Sequence, residues 1–186
     1  MRHRAGVRFA RSAPATPQRV AGPFRGPVAW FSTPVLLTEL LAADRIRVPL
    51  AAESKDAVLE ELVGVLHASG AVADPAAVLR AVRLREAQLS TGIGGGVGIP
   101  HGKAEGVEGL TMAAGVSARP LDFAALDGQP VQLFFLLVGP DAAAGAHVKA
   151  LSRISRLVRG EAMRRRLLEA PSAEAFMALV AEAEAA

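Results

Sequence analysis

The sequence contains no cysteine. Disulfide bonds, thiolate nucleophiles and cysteine-ligated zinc or iron–sulfur centres are therefore excluded. Asparagine and tyrosine are absent as well, and histidine occurs only four times. No two histidines lie four residues apart, the spacing of a helical pair of zinc ligands, and carboxylates do not cluster near His101. We therefore expect neither a metal nor a cofactor.

Long apolar runs are scarce. The mean hydropathy is +0.30, and the longest strongly apolar run is VQLFFLLVG, which begins at Val131. This run is far shorter than the roughly 20 residues needed to cross a bilayer, so it predicts a buried strand and not a membrane span. The 186 residues are enough for one domain with a sizeable core plus an appendage.

Acidic residues are missing from positions 1–34, which carry six arginines and many prolines and glycines. The rest of the chain has 15 basic and 18 acidic residues, so much of the high isoelectric point comes from this extension. Its composition predicts a disordered segment or an artefactual upstream start. A basic arm that contacts nucleic acid or acidic lipid and an organelle transit peptide are the alternatives. The lack of a continuous apolar stretch argues against a secretory signal.

Two amphipathic helices are predicted between a first strand near Ile46 and a glycine-rich segment. Ser54 and Asp74 are suitable N-caps, Pro75 fits a first helical position, and Gly70 ends the first helix. The predicted apolar face of the first helix consists of Val58, Leu62, Val65 and Leu66. That of the second helix consists of Val78, Leu79, Val82 and Leu89.

Strands and helices alternate through the rest of the chain. The apolar segments that begin at Leu110 and Val131 predict strands, and a helix that ends at Gly160 follows them. The predicted buried face of that helix is Val148, Leu151, Ile154 and Val158. Two shorter helices are predicted over 161–170 and, with Ser172 as its cap, over the last residues. This order predicts an α/β domain over residues 35–186, with a central sheet covered on both faces.

The segment STGIGGGVGIPHGKAEG, from Ser90 to Gly106, holds seven glycines around one histidine and one lysine. A phosphate-binding Walker A loop would need glycine in place of Val97 and a hydroxyl in place of Ala104. The dinucleotide fingerprint G-x-G-x-x-G is incomplete in every register. A nucleotide-binding loop is therefore not supported.

The same segment favours presentation of His101. Pro100 fixes its own φ, Gly102 permits a bend, and the preceding VGI resembles a short strand, so His101 is predicted at a strand end. Strand ends are where ligands gather in α/β folds. A structural histidine bonded to a neighbouring carbonyl is the alternative, and spacing alone leaves both interpretations open.

Three segments together resemble a known family. They are REAQLSTGIGGGVGIPHGK, FAALDGQPVQLFFLLVGP and AHVKALSRISRLVRGEAMRRRLLEA. In this order they resemble EIIA domains of the fructose/mannitol class (type 2) of the bacterial phosphoenolpyruvate-dependent phosphotransferase system (PTS), most closely the nitrogen-regulatory branch. The resemblance covers residues 35–186 and implies a mixed sheet; residues 1–34 have no counterpart, and Gly98 stands where alanine is usual.

The resemblance implies a set of site residues. His101 corresponds to the histidine that accepts a phosphoryl group from the phosphohistidine of an HPr-like carrier. Arg85 corresponds to an arginine that holds phosphoryl oxygens, and His147 to a second histidine at a helix N-terminus. The chemistry is consistent with these residue types, because an imidazole keeps one nitrogen free as a nucleophile near neutral pH and an arginine fork binds phosphoryl oxygens. The glycines from Gly92 to Gly98 are expected to leave room for the phosphoryl group and a partner surface.

The resemblance also implies a cellular role. A cytoplasmic phosphocarrier with a regulatory, phosphorylation-dependent output is expected. A sugar-uptake EIIA that passes phosphate to a fructose- or mannitol-type EIIB is one alternative, and a phosphorylation-independent interaction module is another. No nucleic acid is expected to bind the folded domain.

Simpler interpretations exist for several residues. Arg85 could pair with its neighbour Glu86, His147 could merely begin a helix, and His67 is predicted to be structural. The basic series Lys149, Arg153, Arg156 and Arg164 to Arg166 is predicted either as a solvated face or as a docking face for an acidic partner.

Overall fold

The computed structural model describes residues 35–186. The predictions made for residues 1–34 lie outside the described residues. In chain order the elements are α1 (Leu37–Leu40), β1 (Ile46–Leu50), α2 (Lys55–Ala68), α3 (Pro75–Gln88), β2 (Gly92–Gly94), β3 (Val97–Gly98), β4 (His101–Lys103), β5 (Thr111–Leu121), β6 (Val131–Gly139), α4 (Ala144–Leu157), α5 (Glu161–Leu168) and α6 (Ala173–Ala185). Short 3₁₀ turns precede β1 and α4, at Ala43–Arg45 and Asp141–Ala143.

The strands form one mixed sheet in the order β1-β5-β6-β3-β2, and β4 also pairs with β6. The β1–β5 pair is parallel and the β5–β6 pair is antiparallel. Both β3 and β4 run parallel to β6, so together they act as one interrupted strand beside it. The predicted single α/β domain with a central mixed sheet is confirmed.

Helices cover the sheet on both faces, and strand β6 shows why. Its residues Phe134 and Leu136 pack into one core with α2 and α3, while Phe135 and Leu137 pack into a second core with α4 to α6. Successive side chains of a strand point to opposite faces, so a strand buried on both sides reads as a continuous apolar run. Burial on both faces of the sheet therefore explains the continuous apolar run VQLFFLLVG, and no membrane span is needed to explain it.

The predicted helix caps are present in the structure. The Ser54 hydroxyl accepts a hydrogen bond from the Ala57 N–H, and the Asp74 carboxylate accepts one from the Ala77 N–H. The predicted faces of α2 and α3 are buried apart from Leu79, which is partly buried, and Leu89, which is 59% exposed and lies just beyond α3. The position one turn after Val82 belongs to Glu86, which is buried. A buried carboxylate in an otherwise apolar row is not foreseen by hydrophobic periodicity.

The predicted face of α4 is wrong at its beginning. Val148 is 68% exposed, whereas His147, Ala150 and Ile154 are buried. Ile154 and Val158 are buried as predicted, so the predicted and observed faces differ only in the first turn, where His147 is buried in place of Val148. His147 thereby reaches the site described below.

No helix within residues 35–186 is both long and apolar enough to cross a membrane.

Candidate functional site

His101 is the first residue of β4 and lies opposite Leu137 of β6. The Pro100 carbonyl accepts a hydrogen bond from the Leu137 N–H, so the break between β3 and β4 is tied to the central strand. The sequence pattern predicts that His101 lies at the end of a strand. In the structure β3 does end, at Gly98, but His101 also begins a new strand. Its backbone is thus fixed by the sheet while its side chain is only half-buried.

The imidazole of His101 is oriented by the backbone. Its Nδ1 lies 2.8 Å from the carbonyl oxygen of Ile99. Because a carbonyl oxygen only accepts hydrogen bonds, Nδ1 carries the ring hydrogen, and Nε2 keeps the lone pair of the neutral ring. Burial lowers the pKa of His101 below its ordinary value; Arg85 acts in the same direction, while the Ile99 bond and Glu86 oppose it. His101 is therefore bonded to a neighbouring carbonyl and still has a free ring nitrogen.

His147 lies close to His101, with ring centroids 5.6 Å apart in an edge-to-face arrangement. It belongs to the first turn of α4 and is 5% exposed. Burial, followed by the fields of His101 and Lys103, lowers the pKa of His147 to about 4. The ring is therefore neutral at physiological pH. Its Nδ1 has no hydrogen-bond partner among the described residues.

Arg85 lies in the last turn of α3, on the same cavity as both histidines. Its Nη1 donates a hydrogen bond of 2.9 Å to the Leu89 carbonyl. The alternative pairing of Arg85 with Glu86 is absent, because the Glu86 carboxylate pairs with Lys55 at 2.6 Å. Within residues 35–186 Arg85 forms no ion pair, so its charge remains available to a ligand.

The three predicted site residues line one open cavity of about 460 Å³ between α3, β4 and α4. The cavity wall also includes Lys103, which is not among the site residues predicted from the sequence. Its Nζ lies 3.2 Å from Asp141 Oδ1 in an exposed ion pair. The sequence could have indicated this residue, because positions 101 and 103 are two apart on one strand and their side chains therefore lie on the same side of the sheet.

The glycine run does not surround His101 as expected. Gly94, Gly95 and Gly96 all have positive φ and form the tight turn between β2 and β3, where the Gly95 N–H bonds to Asp127. A Cβ on Gly98 would lie 3.1 Å from the Phe134 ring, so that glycine serves core packing. Only Gly102 lines the cavity, where a Cβ would lie 3.0 Å from the backbone of α3. The glycines thus shape the hairpin and its packing.

The remaining predicted features lie away from the cavity. The prediction that His67 is structural is confirmed, since its Nδ1 lies 2.9 Å from the Val72 carbonyl. The basic series is partly neutralised: Arg153, Arg165 and Arg166 pair with Glu184, Glu161 and Glu182. No group of three or more histidine or carboxylate side chains within residues 35–186 is placed to hold a metal.

A mixed-sheet α/β domain thus brings two adjacent histidines, an arginine with no ion-pair partner among residues 35–186 and a lysine to one cavity, a set of groups suited to binding a phosphoryl group. The sequence matches the family described as "Phosphoenolpyruvate-dependent sugar phosphotransferase system, EIIA 2" over residues 39–183. The chain belongs to this family. It is accordingly a phosphotransferase-system component that takes part in phosphoryl transfer.

Two kinds of relative are similar to this chain, fructose-specific PTS components and nitrogen regulatory proteins. The chain is 39% identical over 144 residues to the PTS system fructose-specific EIIABC component of Bacillus subtilis; the match covers 77% of this chain and 23% of that protein's length. It is 37% identical over 146 residues to the nitrogen regulatory protein of Bradyrhizobium diazoefficiens, with 78% and 94% covered.

A solved structure shows the same fold. The nitrogen regulatory protein IIA-Ntr of Neisseria meningitidis superposes with a TM-score of 0.73 at 33% identity, and the match covers 77% of this chain and 98% of that one. The similarity thus extends over nearly the whole of the related domain.

Proposed function

We propose that His101 accepts a phosphoryl group on Nε2 from the phosphohistidine of an HPr-like carrier. The observation that carries this proposal is the contact between His101 Nδ1 and the Ile99 carbonyl, which leaves Nε2 with the lone pair. A lowered pKa keeps the ring neutral and nucleophilic at physiological pH. A histidine with both nitrogens bonded would not have this capacity.

The transfer balances without movement of a proton between the rings. The Nε2 lone pair of His101 forms a bond to phosphorus while the phosphorus–nitrogen bond of the donor breaks, and the donor imidazole keeps that electron pair. Each ring retains its own N–H. Positive charge develops on the His101 ring, and the Ile99 carbonyl stabilises it through the Nδ1–H.

The other cavity residues would hold the transferred group. Phosphoryl transfer asks a protein mainly for positioning and for positive charge near the equatorial oxygens. Arg85 has no carboxylate partner within the described residues, and Lys103 adds a second cation at the cavity wall. His147, neutral and buried, offers a hydrogen bond at the positive end of the α4 dipole.

The test is phosphorylation with purified components. The protein is incubated with phosphoenolpyruvate, enzyme I and an HPr-like carrier, and acid-labile, base-stable phosphate is measured. We expect label on the wild type, none on His101→Ala, and full label on His67→Ala, whose histidine is remote from the cavity. The ³¹P chemical shift should identify an Nε2 isomer. Absence of label on the wild type, or full label on His101→Ala, would overturn the proposal.

For the downstream role, we favour a regulatory output in the cytoplasm, in which a doubly negative group on His101 changes partner binding. Similarity to nitrogen regulatory proteins over nearly their full length supports it. Phosphate delivery to a fructose-type EIIB is the second candidate, supported by the fructose-specific relative. Labelled protein mixed with such an EIIB distinguishes them, since rapid loss of label from His101 to EIIB favours the sugar role. Partner binding that is unaffected by labelling would instead indicate a phosphorylation-independent module.

A further inference from the structure

Glu86 is a buried carboxylate next to the cavity, and the proposed transfer does not use it directly. Its side chain is 5% exposed and lies 2.6 Å from the Lys55 ammonium. Lys55 also donates to the Phe123 carbonyl at 3.0 Å and lies over the Phe123 ring. Only the carboxylate of this ion pair is buried, and the cost of its desolvation offsets much of the attraction. Its presence therefore calls for another explanation.

The carboxylate of Glu86 is directed at one residue of the glycine-rich segment. Both of its oxygens accept from the Thr91 N–H at 3.1 Å, and one also accepts from the Thr91 hydroxyl. Helix α3 ends at Gln88, so these bonds fasten the chain that leaves the helix back onto its last turn. Arg85, the residue before Glu86, also ties this segment to the helix through its hydrogen bond to the Leu89 carbonyl.

Thr91 connects this anchor to His101. Its carbonyl accepts a hydrogen bond of 2.9 Å from the Ile99 N–H. The Ile99 carbonyl in turn accepts the Nδ1–H of His101 at 2.8 Å. Thr91 and Ile99 thus link the Glu86 carboxylate to the imidazole: each residue donates through its N–H on one side of its Cα and accepts through its carbonyl on the other.

We infer that Glu86 is a positioning residue for His101: through Thr91 and Ile99 it holds the carbonyl that keeps the ring hydrogen on Nδ1 and the lone pair on Nε2. The value of this residue for transfer rests on the proposed function, whereas its effect on the ring does not. A carboxylate suits the role because it accepts the Thr91 N–H and hydroxyl together with the Lys55 ammonium. An apolar residue would satisfy none of them.

The direct test is the tautomer of His101, measured by ¹⁵N NMR of the unphosphorylated protein near pH 7.5. In the wild type we expect mainly the Nδ1–H form. Glu86→Gln keeps the shape of the side chain, but its NH₂ group then faces the Thr91 N–H and hydroxyl and the Lys55 ammonium, which are all donors. We expect Thr91 to lose its fixed position as a result, and with it the Ile99 carbonyl. We expect the ratio of Nε2–H to Nδ1–H molecules to rise by about fivefold, which corresponds to the loss of about 1 kcal/mol of preference.

Graded variants of Thr91 test the same connection. Thr91→Val removes the hydroxyl bond but keeps the N–H bonds, so its tautomer shift should lie between those of the wild type and Glu86→Gln. Thr91→Ser restores a hydroxyl and should return the wild-type populations. A general loss of packing would not be rescued by serine in this way.

Transfer kinetics provide the second readout. We expect Glu86→Gln to slow phosphorylation by roughly tenfold and to yield some Nδ1-phosphohistidine, visible in the ³¹P spectrum. Val180→Ala serves as the matched control, because Val180 is fully buried in α6, in the core on the opposite sheet face. It should lower stability without changing the tautomer or the phosphorylated nitrogen.

The outcomes separate the two hypotheses. An unchanged tautomer in Glu86→Gln, or an equal shift in Val180→Ala, overturns the inference. If Glu86→Gln shifts the tautomer but the wild type takes no label, the proposed function is overturned and the positioning of the ring by Glu86 stands.

Discussion

The two walls of the cavity are built differently. On the α3–β4 wall, Arg85 and His101 each donate a hydrogen bond to a backbone carbonyl of the connecting segment, Leu89 in one case and Ile99 in the other. On the α4 wall, His147 is more deeply buried, and its Nδ1 has no partner among residues 35–186. The first wall is held by directional bonds and the second by packing.

This difference separates two tasks. Side chains that meet the phosphoryl group directly must keep a fixed geometry, which hydrogen bonds to a rigid backbone provide. Under the proposed function, the lowered pKa of His147 means that this ring adds no positive charge beside His101 before the transfer. Under the proposed function, substitutions on the first wall should therefore affect mainly the rate of transfer, whereas substitution of His147 should in addition affect the response of stability to pH.

The largest expected effect concerns Arg85. Arg85→Ala should slow phosphorylation by about 10³-fold, because the fixed positive charge that would bind the oxygens of the transferred group is lost. Arg85→Lys keeps the charge without the fork and should recover only part of the rate. Labelling kinetics measure both, and circular dichroism should show an intact fold. A wild-type rate in Arg85→Ala would remove this residue from the site.

The second prediction concerns pH and the α4 wall. The pKa of His147 is about 4 in the folded protein and about 6.5 when unfolded, so the unfolded state binds more protons between these values. Folding stability should therefore be complete above pH 6.5 and fall as pH is lowered towards 4, by up to about 3 kcal/mol. Urea unfolding at several pH values measures it.

The variant His147→Gln supplies the control for that pH dependence. Its stability should vary less with pH over the same interval, because the titrating group is gone. A slope equal to that of the wild type would show that other groups cause the effect and that the α4 wall is not the pH-sensitive one.

The smallest expected effect concerns Lys103, which lies where the two walls meet. Its ammonium is exposed and already shared with Asp141. Lys103→Met should slow phosphorylation by less than about tenfold, because solvent screens an exposed charge. The effect should shrink in high salt, whereas that of Arg85→Ala should not. A loss as large as that of Arg85→Ala would make Lys103 an equal partner in binding the group.

Parts of the fold could be predicted because they depend on local chemistry. Ser54 and Asp74 are side-chain caps whose partners lie three residues away, and the structure contains both bonds. The β6 run was recognisable because a strand buried on both faces has no polar alternation. The site residues His101, Arg85 and His147 came from the resemblance, and spacing alone reached only a presented histidine.

Other features depend on contacts between distant segments. The apolar periodicity of α4 fits two faces about one residue apart, and only packing against the sheet turns His147 inward and Val148 outward. Likewise, Glu86 is an ordinary helix residue in the sequence, and its burial follows from the return of the chain at Thr91.

The sequence by itself determined the helices, the buried strand, the absence of thiol chemistry and the segment that presents His101, since these follow from the properties of neighbouring residues. The tertiary structure decided which ring nitrogen is free, which glycines shape the hairpin and which side chains share the cavity. The packing of the glycines and the cavity depend on contacts between residues far apart in the chain, such as Gly98 with Phe134 and His101 with His147. The free ring nitrogen is set by the Ile99 carbonyl, and the Ile99 N–H is bonded to Thr91 across the glycine turn.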